Sequence, residues 1–433
     1  MSDTPITTAL PDSRTYPRFS PELKSTHKLL APQMAPLHFR LIMDALRQEG
    51  YDVDILENSG PGVVHEGLQY VHNDACYPAL LVIGQFIDAL KHGGYDPDHT
   101  ALILTQTGGG CRASNYLHLL RKALVKAGFP QVPVASINFS SLEKDSGLPM
   151  TPRLILKAIG ACLYGDALMA LSNQVKPYEV TPGQSAALVT AWQDRIADLY
   201  AQKKGTSKGD MRRVFRQMAA DFAAIPTEKR PTYKVGIVGE IYVKYSPLGN
   251  NHLEDFLLAE GCEVNMPGLT GFVQYCIINY AETTNLYGGN AAIKKLIEVA
   301  LNFTVAREQL LHDAIAEHPT LRAPGAFMTT KELAEKFIGL GAKMGEGWLL
   351  TGEMAELVES GFPNIVCAQP FGCLPNHVVG RGMIAKIRAA YPQANITSID
   401  YDPSATRVNQ ENRIKLMLAS AEKTVGVPKH AAT

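Results

Sequence analysis

Apolar segments alternate with polar turns along most of the chain, and their spacing predicts strands and helices in turn. In the first third, strands are predicted at KLLAP, YDVDIL, TALILTQ and VPVASINF, and helices at LHFRLIMDALRQEG, YPALLVIGQFIDALKHGG and RASNYLHLLRKALVKAG. Strands that alternate with helices in this way are typical of a parallel sheet covered by helices.

The pattern changes over 151–230, where LILKAIGACLYGDALMAL, SAALVTAWQDRIADLYAQKK and DMRRVFRQMAADFAAI all have helical spacing. A second alternation follows, with strands at YKVGIVGEIYV, CEVNM, NIVCAQ and ANITSIDYD, and helices at NNHLEDFLLAEG, near 290–318, at VVGRGMIAKIRAAYP and at TRVNQENRIKLMLASAEK. We therefore predict an α/β fold of two Rossmann-like parallel-sheet domains with a helical connecting segment, and a ligand site in the cleft between the domains.

The domain boundaries follow from these changes of pattern. We predict a loose N-terminal arm over 1–25, an α/β domain over 26–150, a helical connector over 151–230, a second α/β domain over 231–425 and a C-terminal tail over 426–433. The arm is rich in Pro, Ser and Thr and lacks the basic start and apolar core of a signal peptide.

Composition fits a soluble protein. The 433 residues are 46% hydrophobic, and no stretch reaches the roughly 20 uninterrupted apolar residues of a membrane helix, since the most apolar one contains Lys157 and Asp166. The 41 basic and 42 acidic side chains give no overall field that would attract nucleic acid or an anionic membrane. We expect a cytoplasmic protein that binds neither.

The seven cysteines are odd in number and scattered, unlike a secreted disulfide framework. Cys76, Cys111 and Cys373 share one setting, because each lies in a turn-rich junction just before a predicted helix. At least two of these junctions follow a strand, and the carboxyl ends of parallel strands are where such folds bind ligands. A helix start also stabilises thiolates and the anionic cofactors that they hold. These three cysteines are therefore the candidate metal ligands.

Glycines next to these cysteines suit a bulky cofactor. They let the backbone approach a ligand and direct N–H groups at it, and such groups tune iron–sulfur clusters. The chain has no CxxC pair, so a zinc ribbon is not expected. The cofactor-binding glycines that we predict are Gly108, Gly109 and Gly110 before Cys111, and Gly372 before Cys373.

The other four cysteines have apolar neighbours. Cys367 lies on a predicted buried strand six residues before Cys373, so it is either a core residue or a further ligand. For Cys162, Cys262 and Cys276 we predict burial in the core, the usual environment of a free cysteine.

Other candidate chemistry is less specific. GGGCRAS is not a P-loop, which indicates that this chain does not itself hydrolyse ATP. Glu240 and Tyr242 follow a predicted strand of the second domain and are either a proton donor and a substrate contact or plain structural polar residues. A cysteine hydrolase would need a histidine base, and nothing in the sequence orders one among His65, His72 and His377.

Six segments resemble a known family. They are NDACYPA, TQTGGGCRASNY, INFSSLEKDSGLP, VGEIYVKYSP, QPFGCLPNHVVGRG and ITSIDYDPSATRVNQENRIKLML. Together they resemble the dehydratase-type domain of the 2-hydroxyacyl-CoA dehydratase superfamily, in the branch also found fused to activase-related proteins. The resemblance runs from about residue 25 to the last predicted helix.

This resemblance implies an oxygen-sensitive, anaerobic iron–sulfur protein. Its 4Fe-4S cluster would be held by Cys76, Cys111 and Cys373, which occupy the matching motif positions, and would leave one iron open to water or a substrate oxygen. An ATP-hydrolysing activator with its own 4Fe-4S cluster would deliver a low-potential electron. In the dehydratases this electron passes to a CoA thioester carbonyl, the 2-hydroxyl group leaves, and the electron is returned.

The resemblance leaves alternatives open. The enzyme is a lyase of the dehydratase type, or a double-cubane reductase that holds an 8Fe-9S cluster and acts on small molecules, or the chain is a non-catalytic electron-relay subunit. Characterised dehydratases pair two related subunits, so the partner is either a related dehydratase subunit or a second copy of this chain.

Overall fold

The fold is described from a computed structural model of the chain, which covers residues 16–72, 75–106, 110–138 and 147–425. Gly108, Gly109, most of the predicted N-terminal arm and the predicted tail lie outside the described residues. The described chain divides into two compact units. The first contains the residues up to Gln33 and the range Gly50–Met150, and the second contains Met34–Glu49 and the chain from Thr151 onward.

The elements are numbered in chain order. The first part of the chain contains β1 (Lys28–Ala31), α1 (Pro36–Gln48), β2 (Val53–Ile55), α2 (Pro61–Tyr70), α3 (Tyr77–His92), β3 (Thr100–Gln106), α4 (Tyr116–Ala127), β4 (Val134–Asn138), α5 (Pro152–Val175), α6 (Gln184–Ala201) and α7 (Lys208–Ala223). The second part contains β5 (Tyr233–Gly239), α8 (Ile241–Tyr245), α9 (Pro247–Asn250), α10 (Leu253–Ala259), β6 (Cys262–Asn265), α11 (Leu269–Tyr287), α12 (Ala291–Ala316), α13 (Phe327–Glu335), α14 (Trp348–Glu359), β7 (Asn364–Pro370), α15 (Ile384–Ala390), β8 (Asn395–Tyr401) and α16 (Arg407–Val425).

The first unit contains a four-stranded parallel sheet in the order β2-β1-β3-β4. Leu29 of β1 lies opposite both Val53 and Ala101, and Leu102 of β3 lies opposite Val134. Nearly every residue of β3 is buried, which explains why its sequence is a continuous apolar run rather than an alternating one. The α/β pattern predicted for this part of the chain is confirmed.

The second unit contains a parallel sheet with the same arrangement, β6-β5-β7-β8. Every residue of its central strand β7 is buried. Gly239 ends β5, and a Cβ atom there would overlap the carbonyl oxygen of Ala368 in β7, so this close approach of two strands requires glycine. The described chain is thus an α/β protein with two four-stranded parallel sheets.

The helical pattern predicted over 151–230 is confirmed as α5, α6 and α7. The second unit also takes in α1, which packs against α5. His38 Nε2 of α1 lies 2.8 Å from Asp166 Oδ1 of α5 in a buried contact, and Lys157 Nζ of α5 lies 2.8 Å from Oε1 of Glu49, the residue that follows α1, in a half-buried one. These contacts link residues more than a hundred positions apart, so the sequence pattern did not predict them.

Among the described residues, one helix is long and apolar enough to cross a membrane, namely α5. Of its most apolar stretch, 72% is buried inside the protein. This burial is what the core helix of a soluble α/β protein shows, and it is compatible with the predicted solubility.

Two predicted elements differ from the structure. The strand predicted over YKVGIVGEIYV ends at Gly239, because Glu240 begins the helix α8 by accepting a hydrogen bond from the Val243 backbone N–H at 2.9 Å. The helix predicted over VVGRGMIAKIRAAYP is regular only from Ile384, and a π-helical turn over Asn376–Gly380 precedes it.

Candidate functional site

The three candidate ligand cysteines lie at helix starts, as predicted. Cys76 directly precedes α3, Cys111 precedes the 3-10 turn Arg112–Asn115 that leads into α4, and Cys373 precedes the irregular helical segment that begins at Leu374. Cys111 follows β3 and Cys373 follows β7, so two of them come after the carboxyl end of a strand.

The two post-strand cysteines occupy equivalent places in their sheets. In each sheet the third strand in chain order lies beside the first, and the second strand flanks the first on its other side. The chain direction across the sheet therefore reverses between β1 and β3 and between β5 and β7. Cys111 and Cys373 each follow a strand at this topological switch point, where open α/β sheets bind ligands.

In the first unit, the fold brings Cys76 against the Cys111 segment. The Cys76 Sγ lies 2.6 Å from the hydroxyl oxygen of Tyr116, the first residue of α4. The Ala113 backbone N–H donates to the Cys111 Sγ at 3.5 Å. Cys76 is buried and Cys111 is half-buried. Both sulfur atoms therefore lie at helix starts with a hydrogen-bonding group within reach.

The turn that carries Cys111 is tied back onto its strand. The Gln106 side-chain amide at the end of β3 donates to the Ser114 carbonyl oxygen at 2.8 Å, and the Ser114 hydroxyl donates to the Cys111 carbonyl oxygen at 2.7 Å. Of the predicted glycines before this cysteine, Gly110 is described and is exposed. The backbone around Cys111 is thus held from both sides.

In the second unit, a fully buried amide contacts the third cysteine. The Asn376 Nδ2 donates to the Cys373 Sγ at 3.3 Å and to the Glu346 Oε2 at 3.3 Å. The Asn376 Oδ1 is buried and has no hydrogen-bond partner among the described residues. Glu346 is a site residue that sequence reasoning missed, since it lies in the loop before α14 and no motif marks it. Asn376 lies in the CLPNHVVG segment that the sequence analysis singled out, but no role was predicted for it.

Two carboxyl groups lie together beside Cys373. Burial, and next the Glu346 charge, raise the pKa of Glu240 to about 8. Burial also raises the pKa of Glu346, although this group accepts a hydrogen bond from the Ile241 N–H at 3.0 Å. At neutral pH such a pair carries fewer than two negative charges, so it holds a proton next to the thiol.

The same carboxyl groups affect the thiol. Burial first, and then the charges of Glu346 and Glu240, raise the pKa of Cys373 well above its ordinary value. The free thiol is therefore protonated at neutral pH, and a bound metal would replace that proton.

A buried ion pair joins α8 to α14. The Lys244 Nζ lies 3.1 Å from the Glu353 Oε1, and both side chains are only 4% exposed. Burial raises the pKa of Glu353, and the attraction of Lys244 counters it. Tyr242, the other predicted site residue on this helix, is also buried.

The turn that precedes Cys373 is open on one side. Gly372 has a φ of +71°, a left-handed conformation that favours glycine, and a Cβ atom added there would meet no described atom within 4 Å. Three large apolar side chains of the same segment are exposed, namely Phe371, Leu374 and Val378. The turn next to the buried Cys373 therefore borders space that a ligand or a partner could fill.

The remaining four cysteines differ in how far they are buried. Cys367 is fully buried in a hydrophobic cluster with Val238 and Ile387, and burial raises its pKa to about 12. Cys162 and Cys262 are buried as predicted.

The predicted burial of Cys276 is wrong, because this residue is exposed on α11. Its neighbours Tyr275 and Ile278 point inward, so apolar neighbours in sequence did not place the thiol inside the core. Surrounding protein atoms and the Glu346 charge nevertheless raise the pKa of Cys276 to about 12. Glu346 thus influences the pKa of both Cys276 and Cys373.

Within the described residues, no group of three or more His, Cys, Asp or Glu side chains is arranged as a metal site. The predicted ligands belong to both units, with Cys76 and Cys111 in the first and Cys373 in the second. Comparison with protein-family models finds none that matches the chain, and comparison with curated proteins finds no match either.

Proposed function

We propose that this chain is an iron–sulfur protein of the 2-hydroxyacyl-CoA dehydratase type. It accepts a low-potential electron from an ATP-hydrolysing activator and uses it for radical dehydration or reduction of a substrate, with CoA thioesters as the leading substrate class. The supporting observation is the common setting of Cys76, Cys111 and Cys373, each at a helix start with a hydrogen-bonding group at its sulfur. The motif resemblance supports the same assignment.

The donor set fits an iron–sulfur cluster. Thiolates are the ligands that such clusters use, and hydrogen bonds to sulfur tune their potential. Ala113 and Asn376 donate such bonds to Cys111 and Cys373. The unpartnered Asn376 Oδ1 and the open space beside Gly372 are further features of a site that receives a ligand. When bound, the cluster would supply single electrons and an iron open to a substrate oxygen.

Glu240 is the residue that we assign to proton transfer. A general acid at neutral pH needs a pKa near the working pH, and the pKa of about 8 at Glu240 meets this requirement. Burial, and then the Glu346 charge, keep that pKa high, and Asn376 donates a hydrogen bond to Glu346. In a dehydration, Glu240 would give its proton to the leaving hydroxyl group.

The double-cubane reductase is the second candidate. Its larger cluster needs additional thiolates, and Cys367 is enclosed in the hydrophobic core. Cys276 instead offers an accessible thiol within the electrostatic reach of Glu346, which also influences Cys373. This observation is the one that favours the alternative.

Iron and sulfide analysis after anaerobic reconstitution tests the proposal. We expect about four iron and four sulfide per chain, whereas about eight iron per chain would indicate the double-cubane reductase. A protein that stays colourless and iron-free would contradict both. If iron binds, turnover of a 2-hydroxyacyl-CoA with an added activator and ATP distinguishes an enzyme from an electron-relay subunit.

A further inference from the structure

Exposed apolar side chains are concentrated on one helical hairpin of the second unit. Of the seventeen large hydrophobic side chains that are exposed in the described chain, six lie on α11 and α12 near the short turn that joins these helices, with exposures between 41% and 73%. These six are Tyr280, Leu286, Tyr287, Ile293, Leu296 and Val299. Scattered single apolar residues need no explanation on a protein surface, but a cluster of this kind marks an interaction site.

The spacing on α12 is that of a helix that packs against another helix. Ala292, Leu296, Val299 and Phe303 follow one another at intervals of four, three and four residues, which is the spacing of a coiled-coil seam. The first three are exposed and Phe303 is half-buried, whereas Leu301 faces inward. Within the described chain this stripe therefore points away from the core of its own unit.

The area matches what a dimer needs. Side chains of these sizes at these exposures present on the order of 600 Å² of apolar surface. This area is near the upper limit of the largest apolar patch on a typical monomer. It is also close to the roughly 800 Å² that each partner buries in a standard interface. The two tyrosines add the residue type that is enriched in interfaces. A small-molecule ligand would leave most of an apolar surface of this size uncovered.

The charges of the hairpin permit contact with an identical surface. Between residues 280 and 303 the charged side chains are two glutamates and two lysines, so the surface has no net charge. Lys294 and Glu298 already lie 3.7 Å apart. A twofold interface brings a surface against its own copy, and a strongly charged surface would repel itself there.

We propose that the α11–α12 hairpin over 280–303 is the surface through which two copies of this chain form a twofold dimer. In this arrangement the Leu296 and Val299 stripe of one copy packs antiparallel against the same stripe of the other. The proposal does not depend on iron binding, so the full-length metal-free chain tests it independently of the proposed function.

Sedimentation velocity of the full chain at micromolar concentration is the test. We expect a species of about twice 47.1 kDa. Leu296→Lys combined with Val299→Lys should convert it to a single chain, and Tyr280→Lys combined with Tyr287→Lys should do the same from α11. The control, Val408→Lys combined with Leu416→Lys, changes two equally exposed apolar residues of α16 and should leave the dimer intact.

Circular dichroism melts identify any variant that fails to fold. If one hairpin variant fails to fold, the oligomeric state of the other hairpin variant tests the proposal. A wild-type chain that sediments as a monomer overturns the proposal, and so does a folded hairpin variant that stays dimeric. A monomeric chain that associates only with a different protein assigns the surface to that protein and overturns the proposal equally.

Discussion

Glu240 combines a helix-capping role with an unusually high proton affinity. Its carboxylate accepts the Val243 N–H, while burial and the Glu346 charge raise its pKa to about 8. An acid whose pKa is higher in the folded than in the unfolded chain binds more protons when folded, so stability falls as pH rises from about 5 to 8. We expect Glu240→Gln to make the urea midpoint of the metal-free protein less dependent on pH over this range.

The comparison uses urea midpoints at pH 5.5, 7 and 8.5. Glu332→Gln is the matched control, because this glutamate is exposed on α13, outside the 280–303 hairpin, and should leave the wild-type slope unchanged. A Glu240→Gln protein with the wild-type slope would show that Glu240 ionises normally in the fold.

At the scale of elements, α8 depends on the Lys244 and Glu353 pair that holds it against α14. Both groups are buried, so removing one leaves an uncompensated charge inside the protein. We expect Lys244→Met to destabilise the second unit by about 3–5 kcal/mol, whereas Lys244→Met with Glu353→Leu should recover most of that loss. Urea unfolding followed by circular dichroism measures both, and a double variant as unstable as the single one would contradict the explanation.

The strands show which elements a sequence can predict. β3 and β7 were predictable because parallel strands buried on both faces appear as continuous apolar runs. The early end of β5 was not, since it depends on a glycine that touches the neighbouring strand and on the cap at Glu240. The helix α1 belongs to the second unit because of its contacts with α5, and these contacts between distant residues cannot be predicted from the local sequence pattern.

At the scale of the whole molecule, the sequence predicted two parallel-sheet domains, and the structure contains two sheets of the same strand order. Helix starts and glycine turns marked Cys76, Cys111 and Cys373, because these signals are local. Glu346 and Cys276 could not be found in this way. Glu346 acquires its role only when its loop packs beside Cys373, and Cys276 is exposed because of how α11 is oriented.

Iron content of two cysteine variants distinguishes a cluster ligand from a core cysteine. Cys111→Ser and Cys162→Ser each remove one thiol, the first from a helix start at a switch point and the second from the buried face of α5. After identical anaerobic reconstitution we expect Cys111→Ser to lose most of its iron and Cys162→Ser to retain about four iron per chain. Equal iron content in the two variants, or none in the wild type, would contradict the assignment of these cysteines.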